Sequence, residues 1–199
     1  MTAKRESMLR KQFRPAIMMT LLLLIITGFL YPGIVTGFAQ LIFPRQANGS
    51  LVTLNGHVVG SELIGQPFTR PEYFHPRPSA AGSGYDATAS GGTNKGPTDR
   101  KLADTLVAGM VDSVVKTDGA RKGSVPSDMV TRSASGLDPH ISPANADLQV
   151  ARVAKARGVP EDRVRAILQR HIEDRQFGFF GEPRVNVLLL NVALDRDLP

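Results

Sequence analysis

Ala16-Ile17-Met18-Met19-Thr20-Leu21-Leu22-Leu23-Leu24-Ile25-Ile26-Thr27-Gly28-Phe29-Leu30-Tyr31 forms the centre of a longer run, Pro15 to Pro44, with no Asp, Glu, Lys, Arg or His between Arg14 and Arg45. At about 1.5 Å per residue, two thirds of that run crosses a hydrocarbon core of about 30 Å as a helix. Inside lipid such a segment satisfies its backbone only by being helical. The expectation is therefore a basic tail over 1–14, a single transmembrane helix region over 15–44, and one extramembrane domain over 45–199.

The flanks give an orientation. Lys4, Arg5, Arg10, Lys11 and Arg14 stand before the run against the single acid Glu6, whereas after Arg45 no basic residue follows until Arg70. The positive-inside rule puts the N-terminus in the cytoplasm and the domain on the outer side of an inner membrane, in the periplasm. The triplet Gly37-Phe38-Ala39 leaves open a cleaved secretory signal, although signal cores are shorter than this run. Both readings export the same domain. Gly33-Ile34-Val35-Thr36-Gly37 has the small-xxx-small spacing that lets another helix approach, so Gly33 and Gly37 are candidate membrane-helix interface residues.

The tail also accounts for most of the charge. It carries +4 of the chain's +6, leaving a nearly neutral domain that is a poor candidate for binding nucleic acid. With no cysteine there is no disulfide, thiolate metal site or cysteine nucleophile. About 150 residues still suffice to bury one core. No fixed-period repeat is present.

Along the domain, Leu51-Val52-Thr53-Leu54, Asn55-Gly56 and His57-Val58-Val59 read as a β-hairpin with a type I′ turn. Gly65 to Ala80 is rich in Pro and aromatics, and Ala81 to Pro97 in Gly, Ser, Ala and Thr, giving a long loop region. Leu102, Leu106, Met110 and Val114 then make the stripe of a helix that Thr98 or Asp99 caps and Asp118-Gly119 ends. A second helix starts at Ser142-Pro143 and stops at Gly158. A third follows Pro160, with Val164, Ile167, Leu168, His171 and Ile172 on one face. Val185-Asn186-Val187-Leu188-Leu189-Leu190-Asn191-Val192-Ala193-Leu194 reads as a buried central strand. The fold class is α+β, a transmembrane helix followed by a single soluble α/β-layered domain.

Motifs for chemistry are weak. Lys95 precedes Gly96, the reverse of a P-loop, and Gly82-Ser83-Gly84-Tyr85-Asp86-Ala87 matches a dinucleotide fingerprint only in part. His57, His75, His140 and His171 lack metal-ligand spacing, and Ser133, Ser135 and Ser142 lack a nucleophile elbow. No catalytic residue, metal site or motif-bound cofactor is expected. Asp138-Pro139-His140-Ile141-Ser142 is either a turn feeding a helix cap or a contact for an anion or partner loop. Tyr73-Phe74-His75-Pro76-Arg77 is either a docking ridge or a loop pinned by its rings.

In these same segments the chain resembles the C subunit of the Kdp-type potassium-transporting ATPase. The shared stretches are Gly65-Gln66-Pro67-Phe68, Tyr73 to Ala80, Ser90-Gly91-Gly92-Thr93-Asn94 with Gly96-Pro97, Asp128 to Ser142, Gln149 to Ala154, and Gly181 to Val187. Thr93, Lys95 and Pro76 stand where the family often has serine, an apolar residue and glycine. The resemblance implies a non-catalytic accessory subunit of a high-affinity, ATP-driven potassium uptake complex. Its implied partners are a channel-like potassium-translocating subunit, a P-type ATPase catalytic subunit, a very small fourth subunit and the lipid bilayer. The family role it implies is to assist ATP binding by the catalytic subunit as a catalytic chaperone, with ATP and potassium handled by the complex. The chain itself has no Asp-Lys-Thr-Gly phosphorylation motif. Asn94, Asp138, His140 and Gln149, in matching segments, are the candidate partner or ligand contacts. The alternative is an independent, anchored or secreted periplasmic binding module.

Overall fold

The computed structural model describes Thr2–Gly96 and Thr98–Leu198; for residues 2–7 and Leu9 only the backbone is described, so the side chains of Lys4, Arg5 and Glu6, and Pro97 of the matching Gly96-Pro97 pair, lie outside the described residues. The chain divides after Ser50 into two compact units.

In the first unit, α1 (Thr2–Ile25) passes through a π-helical segment, Ile26–Leu30, into α2 (Tyr31–Ile42), and a single turn, α3 (Pro44–Ala47), follows. Arg10–Ile42 is long and apolar enough to cross a membrane, with a mean hydropathy of 2.1 over its most apolar window and none of that window buried. The wide turn has a cause in the sequence. Pro32 has no N–H for the carbonyl of Gly28 and its ring crowds that carbonyl, and the ladder relaxes to i−5 bonds, with Tyr31 N–H donating to Ile26 O.

In the second unit, β1 (Leu51–Leu54) and β2 (His57–Ser61) pair antiparallel, with Leu54 opposite His57. Asn55 and Gly56 take the left-handed φ values of +51° and +80° that the type I′ turn requires. The hairpin is its own two-stranded sheet. Residues 62–99 contain no helix or strand among those described. The helix over Lys101–Asp118 begins as a π segment, Lys101–Val107, and continues as α4 (Ala108–Asp118). Asp99 Oδ1 accepts from the N–H groups of Lys101 (2.8 Å) and Leu102 (3.2 Å), the expected cap, and Gly119 closes the far end at φ +71°.

The main core lies between α5 (Pro143–Arg157), α6 (Glu161–Arg170), α7 (Val187–Asp197) and a small antiparallel sheet. That sheet has the order β3 (His140–Ile141), β5 (Arg184–Asn186), β4 (Ile172–Glu173). Phe74, Val150, Val153, Val164, Leu168, Val185, Leu190 and Leu194 are the centre of the core. Ser142 caps α5 by accepting from Asn145 N–H at 3.1 Å, Pro143 occupies its first turn and Gly158, at φ +66°, ends it.

Two expectations are corrected. The run from Val185 to Leu194 is not a strand: pairing stops at Asn186, whose Oδ1 accepts from Leu189 N–H at 3.2 Å and caps α7. A helix buried on nearly all sides has the same unbroken apolar run as a buried strand. Ile172 likewise leaves the third helix, which ends at Arg170, and starts β4. The mixed α+β class stands.

Candidate functional site

Residues 71–75 of the long loop are held in place by side chains of the helices beneath them. On α5, Gln149 is 1% exposed and makes four bonds. Its Oε1 accepts from His75 N–H (2.7 Å) and Arg152 Nη2 (2.6 Å), and its Nε2 donates to His75 O (3.0 Å) and Asn145 Oδ1 (2.7 Å). On α7, Asn191 treats the preceding residue the same way: its Oδ1 accepts from Phe74 N–H (2.8 Å) and its Nδ2 donates to Phe74 O (3.0 Å). Two buried primary amides thus satisfy the main chain of consecutive loop residues, which has no ladder of its own.

Arginines extend the clamp. Arg152 pairs with Asp118 at 2.6 Å, both side chains under a tenth exposed, and donates to Pro71 O (2.7 Å) and Tyr73 O (2.9 Å). Arg157 pairs with Asp195 (2.7 Å), donates to Glu72 O (2.9 Å) and lies over the Tyr73 ring, 5.3 Å from its centroid. The Tyr73 hydroxyl donates to the other oxygen of Asp195 at 3.0 Å. Burial, then the positive charge of Arg152, lowers the His75 pKa below its ordinary value.

A second cluster joins the loop to the segment before α5. Arg77 pairs with Asp138 at 3.1 Å, and Asp138 Oδ1 accepts from His140 N–H at 3.0 Å. Burial alone would raise the Asp138 pKa, but hydrogen bonds from the His140 side chain and N–H, with the charge of Arg77, hold it below the usual carboxylate value. Asp128 accepts from Ser142 N–H (2.7 Å), Ser142 Oγ (3.0 Å) and Asn145 Nδ2 (2.9 Å). Ser79 Oγ donates to Gly136 O at 2.6 Å, and the Tyr85 hydroxyl donates to Arg77 O at 2.5 Å. Burial pushes the Tyr85 phenol up to about 12. Gly136, at φ +68°, is required here: a Cβ would sit 2.7 Å from both Ala81 N and Gly91 O.

The four candidate residues fall in three places. Asp138 and His140 are together, on a cleft of about 390 Å³ that Arg77, Ser142 and Arg184 also line. Gln149 borders a smaller cleft of about 160 Å³ with His75, Asp118 and Asn145, but its amide is occupied by the clamp. Asn94 is separate, at φ +52° on the rim of a groove of about 450 Å³ between the π segment and residues 130–134. Leu102, Leu106 and Met110 line that groove, and Lys95 pairs with Asp99 at 2.7 Å beside it. In the first unit, a Cβ added at Gly33 or Gly37 would meet nothing within 4 Å, so both glycines present open surface.

Chemically, these groups are disposed to hold one another. Ser142 Oγ donates to Asp128 and accepts from Asn145 N–H at the α5 cap, so its proton is held by a carboxylate and not by His140. His171 Nδ1 is engaged with Ile167 O at 2.8 Å, the core or edge histidine its position suggests. Among the described residues no group of three His, Cys, Asp or Glu is placed to hold a metal ion. Sequence reasoning did not single out Asn191, Arg152, Arg157 or Asp128. The one available signal was Asn191 itself, an amide inside an apolar run, which must find a buried partner.

Comparison with known proteins bears on the same segments. The family model described as KdpC, the c chain of K+-transporting ATPases, matches residues 13–196. The potassium-transporting ATPase KdpC subunit of Gemmatimonas aurantiaca is 61% identical over 186 residues, covering 93% of this chain and 92% of the relative. Those of Koribacter versatilis and Geobacter metallireducens are 51% and 55% identical over 191 and 188 residues, covering 96% and 94% of this chain and 97% and 98% of the relatives.

Proposed function

Because the chain belongs to the KdpC family of K+-transporting ATPase c chains, we propose that it is a non-catalytic, single-span subunit of an ATP-driven potassium uptake complex. Its partners are a channel-like potassium subunit, a P-type ATPase subunit and a small fourth subunit. The observation that carries the reading is the coverage of the match, residues 13–196, which takes in both the apolar helix and the clamped domain. The use made of the polar residues supports a non-enzymatic role. Gln149, Arg152, Asp128 and Ser142 spend their hydrogen bonds on the protein's own loop and helix cap.

By the positive-inside rule the basic tail supports a cytoplasmic N-terminus, an inner-membrane span and a periplasmic domain. ATP is then on the opposite side from the domain. Any assistance to nucleotide binding by the ATPase subunit therefore travels through the membrane helix, whose open Gly33 and Gly37 can seat a partner helix, and through assembly of the complex. Asp138, His140 and Asn94 remain the contact residues we propose for the domain, since their cleft and groove are open.

The test is potassium-limited growth of a strain lacking this chain, complemented by the parent, together with reporter fusions at the C-terminus. We expect growth to return only with the parent and a reporter active only outside the cytoplasm. Growth at low potassium without the chain overturns the function, and a reporter active inside overturns the orientation.

A further inference from the structure

The connection between β4 and β5 carries an aromatic tip that the clamp and the clefts do not use. Residues 174–183 turn at Phe177 and Gly178, with φ of +54° and +81°, and return through a bridge between Gln176 and Phe180. Phe177 is 87% exposed, Phe179 64% and Phe180 57%. The rings of Phe179 and Phe180 lie 4.2 Å apart between centroids. Clustered exposed rings of this kind mark an interaction surface.

Two features suit this tip to a surrounding of low dielectric. First, four of the five main-chain donors from Gln176 to Phe180 are satisfied within the turn, all but that of Phe177 at the apex. Gln176 N–H donates to Phe180 O (2.9 Å), Gly178 N–H to Arg175 O (3.0 Å), and Phe179 and Phe180 N–H to Gln176 O (3.2 and 2.9 Å). Each donor paired this way spares several kcal/mol on leaving water, and the open N–H of Phe177 limits the tip to the headgroup boundary, where acceptor oxygens remain. Second, the charges gather at the base, where Arg175 pairs with Glu182 at 2.5 Å and Arg184 with Glu173 at 2.9 Å, leaving Asp174 as the one charge there without an ion pair among the described residues. Polar at the root and aromatic at the end, the hairpin has the graded character of an interfacial insertion.

The length of the tether favours a bilayer as the occupant over a protein pocket. The apolar helix ends at Ile42 and the folded unit begins at Leu51. With Pro44–Ala47 a helical turn, the residues between them reach at most about 25 Å, so a chain anchored by that helix holds its domain at high effective concentration beside lipid. We propose that the Phe177–Phe180 tip dips into the headgroup and acyl boundary of the membrane as a second, reversible contact of the same chain. This rests on the membrane-span reading above.

The chain contains no tryptophan, so a single reporter is unambiguous. Full-length F177W, and separately L23W within the apolar helix, are reconstituted into phosphatidylcholine vesicles with acyl chains brominated near the headgroup or near the bilayer centre. We expect F177W to emit at shorter wavelength than in denaturant and to lose most of its intensity to the shallow bromines, while L23W loses more to the deep ones. L23W quenched with F177W unquenched overturns the tip contact and leaves the span reading intact. Neither reporter quenched overturns both. F177W shielded only after assembly with the other subunits, and still insensitive to bromines, identifies a protein pocket and overturns the lipid contact.

Discussion

Replacing Gln149 by leucine separates a scaffold residue from a contact residue. Leucine nearly matches the glutamine in volume, so the cavity contribution is small. It removes partners from four groups: His75 N–H, His75 O, Asn145 Oδ1 and Arg152 Nη2. Three are neutral, at about 1 kcal/mol each, and the arginine bond is worth about 2. Arg152 keeps Asp118 and two loop carbonyls, so its charge stays paired. Water entering the adjacent cleft of about 160 Å³ restores part of the loss. The expected destabilisation is about 3–4 kcal/mol, or roughly 10 °C in Tm for a chain of this size. Gln149→Glu keeps both acceptor roles and loses both donor roles, and should lose about half as much. The assay is thermal unfolding of the full-length chain in detergent micelles, followed by far-UV circular dichroism. A Q149L protein that melts with the parent refutes the clamp, and if it also fails to assemble with the other subunits, Gln149 is a partner contact instead.

Other outcomes follow from the same geometry. The folded pKa of His75 lies below its unfolded value of about 6.5, so its contribution is present above that pH and lost as pH falls through it; His75→Asn should remove this drop in melting temperature between neutral and mildly acidic buffer. Gly136→Ala combines a disfavoured φ with backbone contacts at 2.7 Å and should lose about 2–5 kcal/mol, read as a shifted denaturant midpoint. Asp118→Asn leaves the Arg152 guanidinium buried without its counter-charge and should cost about 3–5 kcal/mol, seen as a lower Tm, with Arg152→Lys failing to restore it.

How far the fold could be read from sequence depended on whether the deciding contacts were local. The Asn55-Gly56 turn, the Ser142-Pro143 start and the Gly158 stop are all determined within four residues, and each stands where expected. The apolar helix was legible for the same reason, though its π turn was not. The Val185–Leu194 run misled because its surroundings bury it on all sides, so no period distinguishes helix from strand; Asn186 as a cap was the overlooked signal. The clamp was least legible of all. Gln149 and Asn191 meet main-chain atoms 74 and 117 positions away, and a backbone partner has no residue type to announce it. Of the candidate residues, adjacency in sequence brought Asp138 and His140 together, whereas Asn94 and Gln149 had only a shared resemblance to unite them.

The two amides grip peptide groups, and a peptide group is the same whatever residue bears it. Substitutions at exposed positions beside Phe74 and His75 can therefore rewrite what the domain displays there without disturbing the path of the chain. Such a surface is free to follow a changing neighbour while the framework beneath it stays constant.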